Sequence, residues 1–377
     1  MSSKNKIRFG AVAAAAVAAL AFSVAVPAYA DPATIRPLVG VGSDTTQDLV
    51  GGLAFAITDI GNYDATGLPA LIQTRAGGVS FVRPNGSTAG IQALSASAGN
   101  NTGVRTFPAA QVVGQPAVQI ITGQVDFARS SSGPNSSFAG TDLTFIPFAR
   151  DAVTYAVSAA SDFPRDIALG AAAQDSLSPA PFTLRNIYRG TVTTYTDGNF
   201  NSVTIRPIIP QQGSGTRSFW LSALGLTEGT IVGTPTTDIG NTAQEHNGSY
   251  IRNAGDIAPF SIAQYIAQGN YSTLPTSVTE RRGNVELGQV GSIKPLLLTA
   301  GGGVELNTAF PINRLVYNVV ASSRLTGTSP ADVLLQQTFV GNTSAVCAAS
   351  TTIKQYGFGT LPAALCGSTA TKQGFRY

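Results

Sequence analysis

The chain has 377 residues, of which 23 are Lys or Arg and 20 are Asp or Glu. Charged residues make up 11% of it, well below the usual ~25%, and so balanced a charge excludes a generic nucleic-acid binder, which needs a basic face to offset phosphates. The single histidine, His246, and the two cysteines offer no spacing suited to a metal site, so neither metal nor cofactor is expected.

Read in chain order, residues 1–30 come first. Lys4, Lys6 and Arg8 form a positive start, an apolar run extends from Ala11 to about Val26, and Ala28-Tyr29-Ala30 forms an A-x-A site. This is a secretory signal peptide, cleaved after Ala30, and it places the mature protein outside the cytoplasm, secreted or in the cell envelope. The run is short for a spanning helix of ~20 residues, and no cysteine near the cleavage point supports a lipid anchor. Removing three basic residues and no acidic ones leaves 20 of each sign on 347 residues (377 minus 30). That length fits two domains of ~100–200 residues.

Short β-rich runs then alternate with helical stretches, an α/β pattern. Strands are expected at Leu38–Val41, Val79–Val82, Val125–Phe127, Asp142–Pro147, Ala152–Ser158, Val203–Ile209 and Leu315–Val320. Helices are expected at Thr45–Ile57, Ala89–Ser95, Ala117–Gly123, Arg217–Leu224, Ser249–Asn253 and Ala263–Gln268. In an exported chain Cys347 and Cys366 are expected to form one disulfide.

One junction recurs: strand, Gly/Ser/Thr loop, helix. It occurs at Gly40 to Thr46, with Ser43, Asp44 and Thr45; at Asn85 to Gly90, with Ser87 and Thr88; and at Gln212 to Arg217, with Gly213, Ser214, Gly215 and Thr216. The first N–H groups of a helix lack internal partners and carry the positive end of its dipole, so they attract an anion. Glycines let the backbone come close, and hydroxyls add directed donors. Any one such loop also fits an ordinary Ser/Thr helix cap. Three of them in a chain this poor in charge point to oxyanion binding.

Enzyme chemistry has less support. Ser214 lies in Gly-Ser-Gly-Thr rather than a nucleophile elbow, and the only imidazole, His246, falls in the polar, turn-like stretch Glu245-His246-Asn247-Gly248. Asp44 and Asp48 would share a helix face, but two carboxylates alone are a weak cation signal.

The loops, in this order, resemble the PstS-like phosphate-binding proteins of ABC importers, within the type II periplasmic-binding-protein fold. Ser87 falls at the family's ligand serine, Val125 to Ser131 resembles its VDFGASD stretch, Phe182 to Gly190 its segment before the second-lobe ligand strand, and Gly213 to Thr216 its GSGT loop. The resemblance implies two α/β lobes joined by two hinge crossings, near Pro147–Val157 and Pro311–Val320. Lobe one would span 31–150 and 316–377, and lobe two 151–315. It implies a non-enzymatic, monomeric binding protein that closes on phosphate or a related oxyanion and serves an ABC permease. Three departures stand out: Ser131 replaces an aspartate, Pro210 and Gln212 replace Arg and Asp, and Asp44 replaces a threonine. Arg129 or Arg217 is then expected to supply the missing positive charge, and Asp44 the proton acceptor. A secreted phosphatase on this fold, or a surface protein that has kept the fold without the ligand, are the competing readings.

Overall fold

The structure is a computed structural model that describes residues 31–99, 106–108, 117–231, 240–275 and 278–377; the expected signal peptide and its cleavage site lie outside the described residues. Among these residues nine strands form the main sheet: β1 (Leu38–Gly42), β2 (Ile60–Asn62), β3 (Phe127–Ser130), β4 (Leu143–Ser158), β5 (Arg206–Pro207), β6 (Asp256–Ser261), β7 (Val285–Leu287), β8 (Asn313–Ala321) and β9 (Thr371–Gln373). Their order is β5-β6-β4-β8-β3-β1-β2, with β7 and β9 also pairing with β4. Strand β1 runs parallel to β2 and β3, and β8 runs antiparallel to β3 and β4.

Side-chain alternation explains how the sheet is buried on both faces. Successive residues of a strand point to opposite sides. Leu38, Phe127, Ile146 and Val320 join one core, with Leu49, Phe339 and Tyr356, while their neighbours Val39, Ala128, Phe145 and Val319 join another, with Phe81 and Leu94. A third core lies in the middle of the chain around Tyr155, Tyr188 and Trp220. Cys347 and Cys366 are disulfide-bonded, with Cα atoms 5.9 Å apart, and stitch the C-terminal segment under the first of these cores.

The two long strands tie the halves together. The start of β4 pairs with β8 and β9, and its end pairs with β6 and β7. Two strands were expected here, broken at Pro147. The chain instead continues because the β4–β8 register shifts at this point: Val316 faces Ala149 and Tyr317 faces Pro147, leaving Phe148 as the extra residue. A bulge is where a sheet tolerates a proline, which has no N–H to give.

Other expectations also shift. Ala117–Gly123 is not helical: Val118–Ile120 pairs as a strand with Thr106–Pro108, as its β-branched residues favour. Ser249–Asn253 makes only a 3-10 turn over Gly248–Tyr250. Val203–Ile209 divides into Ser202–Thr204 and β5. The helices that matter for the site are α1 (Gln47–Ala56), α2 (Gly86–Ala98), α3 (Gly215–Ala223) and α4 (Ile262–Gly269).

Candidate anion-binding cleft

Each of the three loops turns through a glycine with left-handed backbone: Gly42 at φ +113°, Gly86 at +88° and Gly213 at +85°. A side chain would be strained at these positions. The loops then meet across long sequence separations. The hydroxyls of Thr45 and Thr216 are 3.3 Å apart. The Thr88 N–H donates to the Gly213 carbonyl at 3.3 Å. The Ser87 hydroxyl accepts from the Ser131 N–H at 3.0 Å and lies 3.3 Å from the Ser131 hydroxyl. A Cβ on Gly215 would come within 2.5 Å of both of those hydroxyls, so the start of α3 is packed against α2 and the end of β3. Ser43, Thr45, Ser131 and Thr216 have no exposed surface, and the Ser43 hydroxyl has no partner.

Helix capping fixes the third loop. The Ser214 side chain accepts the N–H groups of Thr216 and Arg217 at 3.1 and 3.2 Å, as an N-cap serine should.

The two arginines are committed elsewhere. Arg129 is fully buried and donates to the carbonyls of Gly40, Gly42 and Ser43 at 3.1–3.2 Å and to Asn62 Oδ1 at 2.6 Å. It braces the back of the first loop, and burial lowers its pKa to about 10. Arg217 turns away from the cleft to pair with Glu228 at 2.7 Å and with the Pro210 carbonyl at 2.8 Å. Thus neither aims its guanidinium at the meeting point, because neighbouring acceptors already occupy it.

Three further residues contact or flank the junctions: Glu245 and Gln264 are buried behind them, and Arg314 lines the neighbouring cleft. Glu245 accepts hydroxyl protons from Thr45 and, at 3.3 Å, from Ser214. Gln264, near the start of α4, donates to the Thr45 carbonyl at 2.6 Å. Arg314, on β8, pairs with Asp151 at 2.7 Å and keeps one buried nitrogen without a partner. Beside the loops opens a cleft of about 830 Å³ whose walls include Thr88, Ser132, Ser218, Phe219, Arg314 and Tyr317.

His246 is not in an exposed turn. It is 1% exposed, and its Nδ1 lies 3.8 Å from Asp44 Oδ2. Asp44, Glu245 and His246 each offer a ligand atom, and these atoms lie within 4.8 Å of one another. Burial, then the charge of Glu245, pushes the Asp44 carboxyl up to about 8, partly offset by the N–H dipoles of Asp44 and Thr45. Asp44 is therefore largely protonated at neutral pH. Burial also acts to raise Glu245, but the charge of His246 when that ring is protonated, then Arg314 and the Thr45 hydroxyl, act the other way and hold that carboxyl below its ordinary value. Burial, then the nearby Arg281, lowers His246 to about 4, leaving a neutral imidazole.

Residues 28–309 match the PBP superfamily domain. The chain belongs to the PBP superfamily. Two solved structures share the fold. One, from Clostridium perfringens, is described as a phosphate ABC transporter substrate-binding protein with bound phosphate; it is 14% identical at a TM-score of 0.50, covering 86% of this chain and 99% of its own. The other is an ABC-type phosphate transport receptor from Vibrio cholerae, 16% identical at a TM-score of 0.50, covering 86% of this chain and 100% of its own. No curated protein matches this chain. The mixed α/β sheet and the superfamily match agree with the two-lobed fold that the resemblance implies.

Proposed function

We propose that this protein is an exported solute-binding protein that captures inorganic phosphate between two lobes and delivers it to an ABC permease. The lobes are residues 31–150 with 316–377, and 151–315, and the protein acts as a monomer after cleavage behind Ala30. One observation carries the reading: three loop–helix junctions, far apart in sequence, converge within hydrogen-bonding distance. Helices α1, α2 and α3 are ten, thirteen and nine residues long, long enough for their N-termini to favour negative charge. Phosphate is also what the two structural neighbours are described as binding or transporting.

In this reading the anion is held by the hydroxyls of Ser43, Ser87, Ser131 and Thr216 and by the N–H groups of Gly213 to Thr216. Arg314 supplies positive charge in place of Arg129 and Arg217. Protonated Asp44 is a donor rather than a second repelling carboxylate, and ionised Glu245 accepts the proton that phosphate keeps at neutral pH and sulfate lacks. Because the ligand touches both sides of the cleft, binding selects the closed arrangement. Isothermal titration with phosphate, arsenate and sulfate tests this. Phosphate and arsenate should bind and sulfate should not; absence of phosphate binding would overturn the reading.

A further inference from the structure

Beneath the three junctions the side chains of Asp44, Glu245 and His246 are buried together. Neither oxygen of Asp44 and neither ring nitrogen of His246 has a hydrogen-bond partner, although both side chains are at most 1% exposed. Orphaned buried polar atoms cost about 1–3 kcal/mol each, so four of them in two adjoining side chains call for a ligand. Each is a good ligand for a cation, and Glu245 stands with them.

We propose that Asp44, Glu245 and His246 form a site for one divalent transition-metal ion, Zn²⁺ by preference. Two carboxylates and one imidazole match the donor set of a zinc site with an open coordination position. Ligand atoms bound at about 2.0–2.2 Å around one tetrahedral ion lie about 3.3–3.6 Å apart. His246 Nδ1 and Asp44 Oδ2 are 3.8 Å apart and all three ligand atoms lie within 4.8 Å of one another, so binding draws the set together by up to about 1 Å or slightly more. The surroundings already orient the ligands: Thr45 and Ser214 hydroxyls donate to the two oxygens of Glu245, and Gln268 donates to the His246 carbonyl at 2.8 Å. Outer contacts of this kind fix metal ligands in place.

No other soft donor competes. His246 is the only histidine, and both cysteines are locked in the disulfide. With the ion bound, Asp44 and Glu245 serve as its ligands instead of as donor and acceptor to phosphate, and its open position faces an oxyanion and adds to the positive charge of Arg314. That role in anion capture rests on the phosphate reading; the cation site itself does not.

The test uses tag-free protein treated with a chelator, titrated with micromolar Zn²⁺ before any phosphate is added. About one equivalent should bind, the resonances of the sole imidazole should shift, and the melting temperature should rise with free Zn²⁺. Asp44→Asn and His246→Asn should each weaken Zn²⁺ binding by more than about tenfold. No Zn²⁺ binding, unmoved imidazole resonances, or equal affinity in both folded variants would overturn the site. Phosphate is then titrated with chelator and with Zn²⁺. Tighter phosphate binding with Zn²⁺ supports both readings. Zn²⁺ binding without any phosphate binding supports the cation site and sinks the phosphate reading alone.

Discussion

Asp151 and Arg314 face each other across β4 and β8, the two long strands, and pair at 2.7 Å with almost no exposure on either side. The other oxygen of Asp151 accepts the Ser261 hydroxyl at 3.0 Å and the Ala263 N–H at 3.2 Å, so the same carboxylate anchors the start of α4. The pair locks the crossing strands to the helix that carries Gln264 to the Thr45 carbonyl.

Breaking that pair from one side should be costly. Arg314→Met leaves Asp151 charged and uncompensated in the interior, and the expected loss is about 3–5 kcal/mol of unfolding free energy. Adding Asp151→Asn removes the stranded charge and should restore part of it. Urea unfolding of the two variants checks this; a double variant no more stable than Arg314→Met would show that the charge is not the cause.

The contact between the start of α3 and the serines of the other two junctions gives a second expectation. Gly215→Ala places a methyl where the Ser87 and Ser131 hydroxyls lie, 2.5 Å away. Each half can hold that alanine while the cleft is open, so the penalty falls on closure. Phosphate affinity should drop by roughly tenfold while the urea midpoint stays put. A variant that binds as tightly as the parent would mean that the loops do not approach so closely in the bound form.

The three loop–helix junctions were legible because their chemistry is local. A left-handed glycine, a Ser/Thr cap and a following helix leave a mark within a few residues, as at Gly213, Ser214 and α3. The fate of each arginine was not legible, because it depends on which carbonyls and carboxylates lie nearby: Asn62 for Arg129, Glu228 for Arg217. Glu245 and His246 read as a polar turn for a similar reason. Nothing near them in sequence indicates that Asp44 and Thr45 will bury them. The scarcity of charge was the one available signal, since a chain with few carboxylates seldom buries one idly. Strand β4 was split in the sequence reading because Pro147 interrupts a ladder unless a bulge accommodates it, and the bulge depends on the partner strand.

Asp48 makes a pH prediction. Burial, then the charge of Asp64, pushes its carboxyl up to about 7 from an ordinary value of 3.8. Between these values the unfolded chain has lost the proton and the folded chain keeps it, so raising the pH favours the unfolded state. The contribution of Asp48 is fully present below about pH 4, declines as pH rises to about 7 and is then flat, a change on the order of a few kcal/mol. Asp48→Asn removes this slope. The stability of the parent relative to the variant, measured by urea unfolding at several pH values, should therefore fall across that window. A constant difference would mean that Asp48 is ionised throughout.

The last prediction separates side chains that hold the anion from those that only hold the loop, using adjacent residues of α3. Thr216 has no exposed surface, and its hydroxyl points to the junction with Thr45. Thr216→Val keeps the shape and removes one donor, so phosphate binding should weaken by about 1–3 kcal/mol. Arg217 shares the same Ser214 cap, yet its guanidinium pairs with Glu228, a residue whose side chain is 58% exposed. Arg217 itself is only 7% exposed and also donates to the Pro210 carbonyl, so Arg217→Gln should cost about 1–3 kcal/mol of stability yet leave phosphate affinity of the folded protein unchanged. Titrating both variants distinguishes the two roles. If Arg217→Gln weakens binding as much as Thr216→Val, then the arginine leaves Glu228 for the ligand on closure, and the positive charge assigned to Arg314 belongs to Arg217 instead.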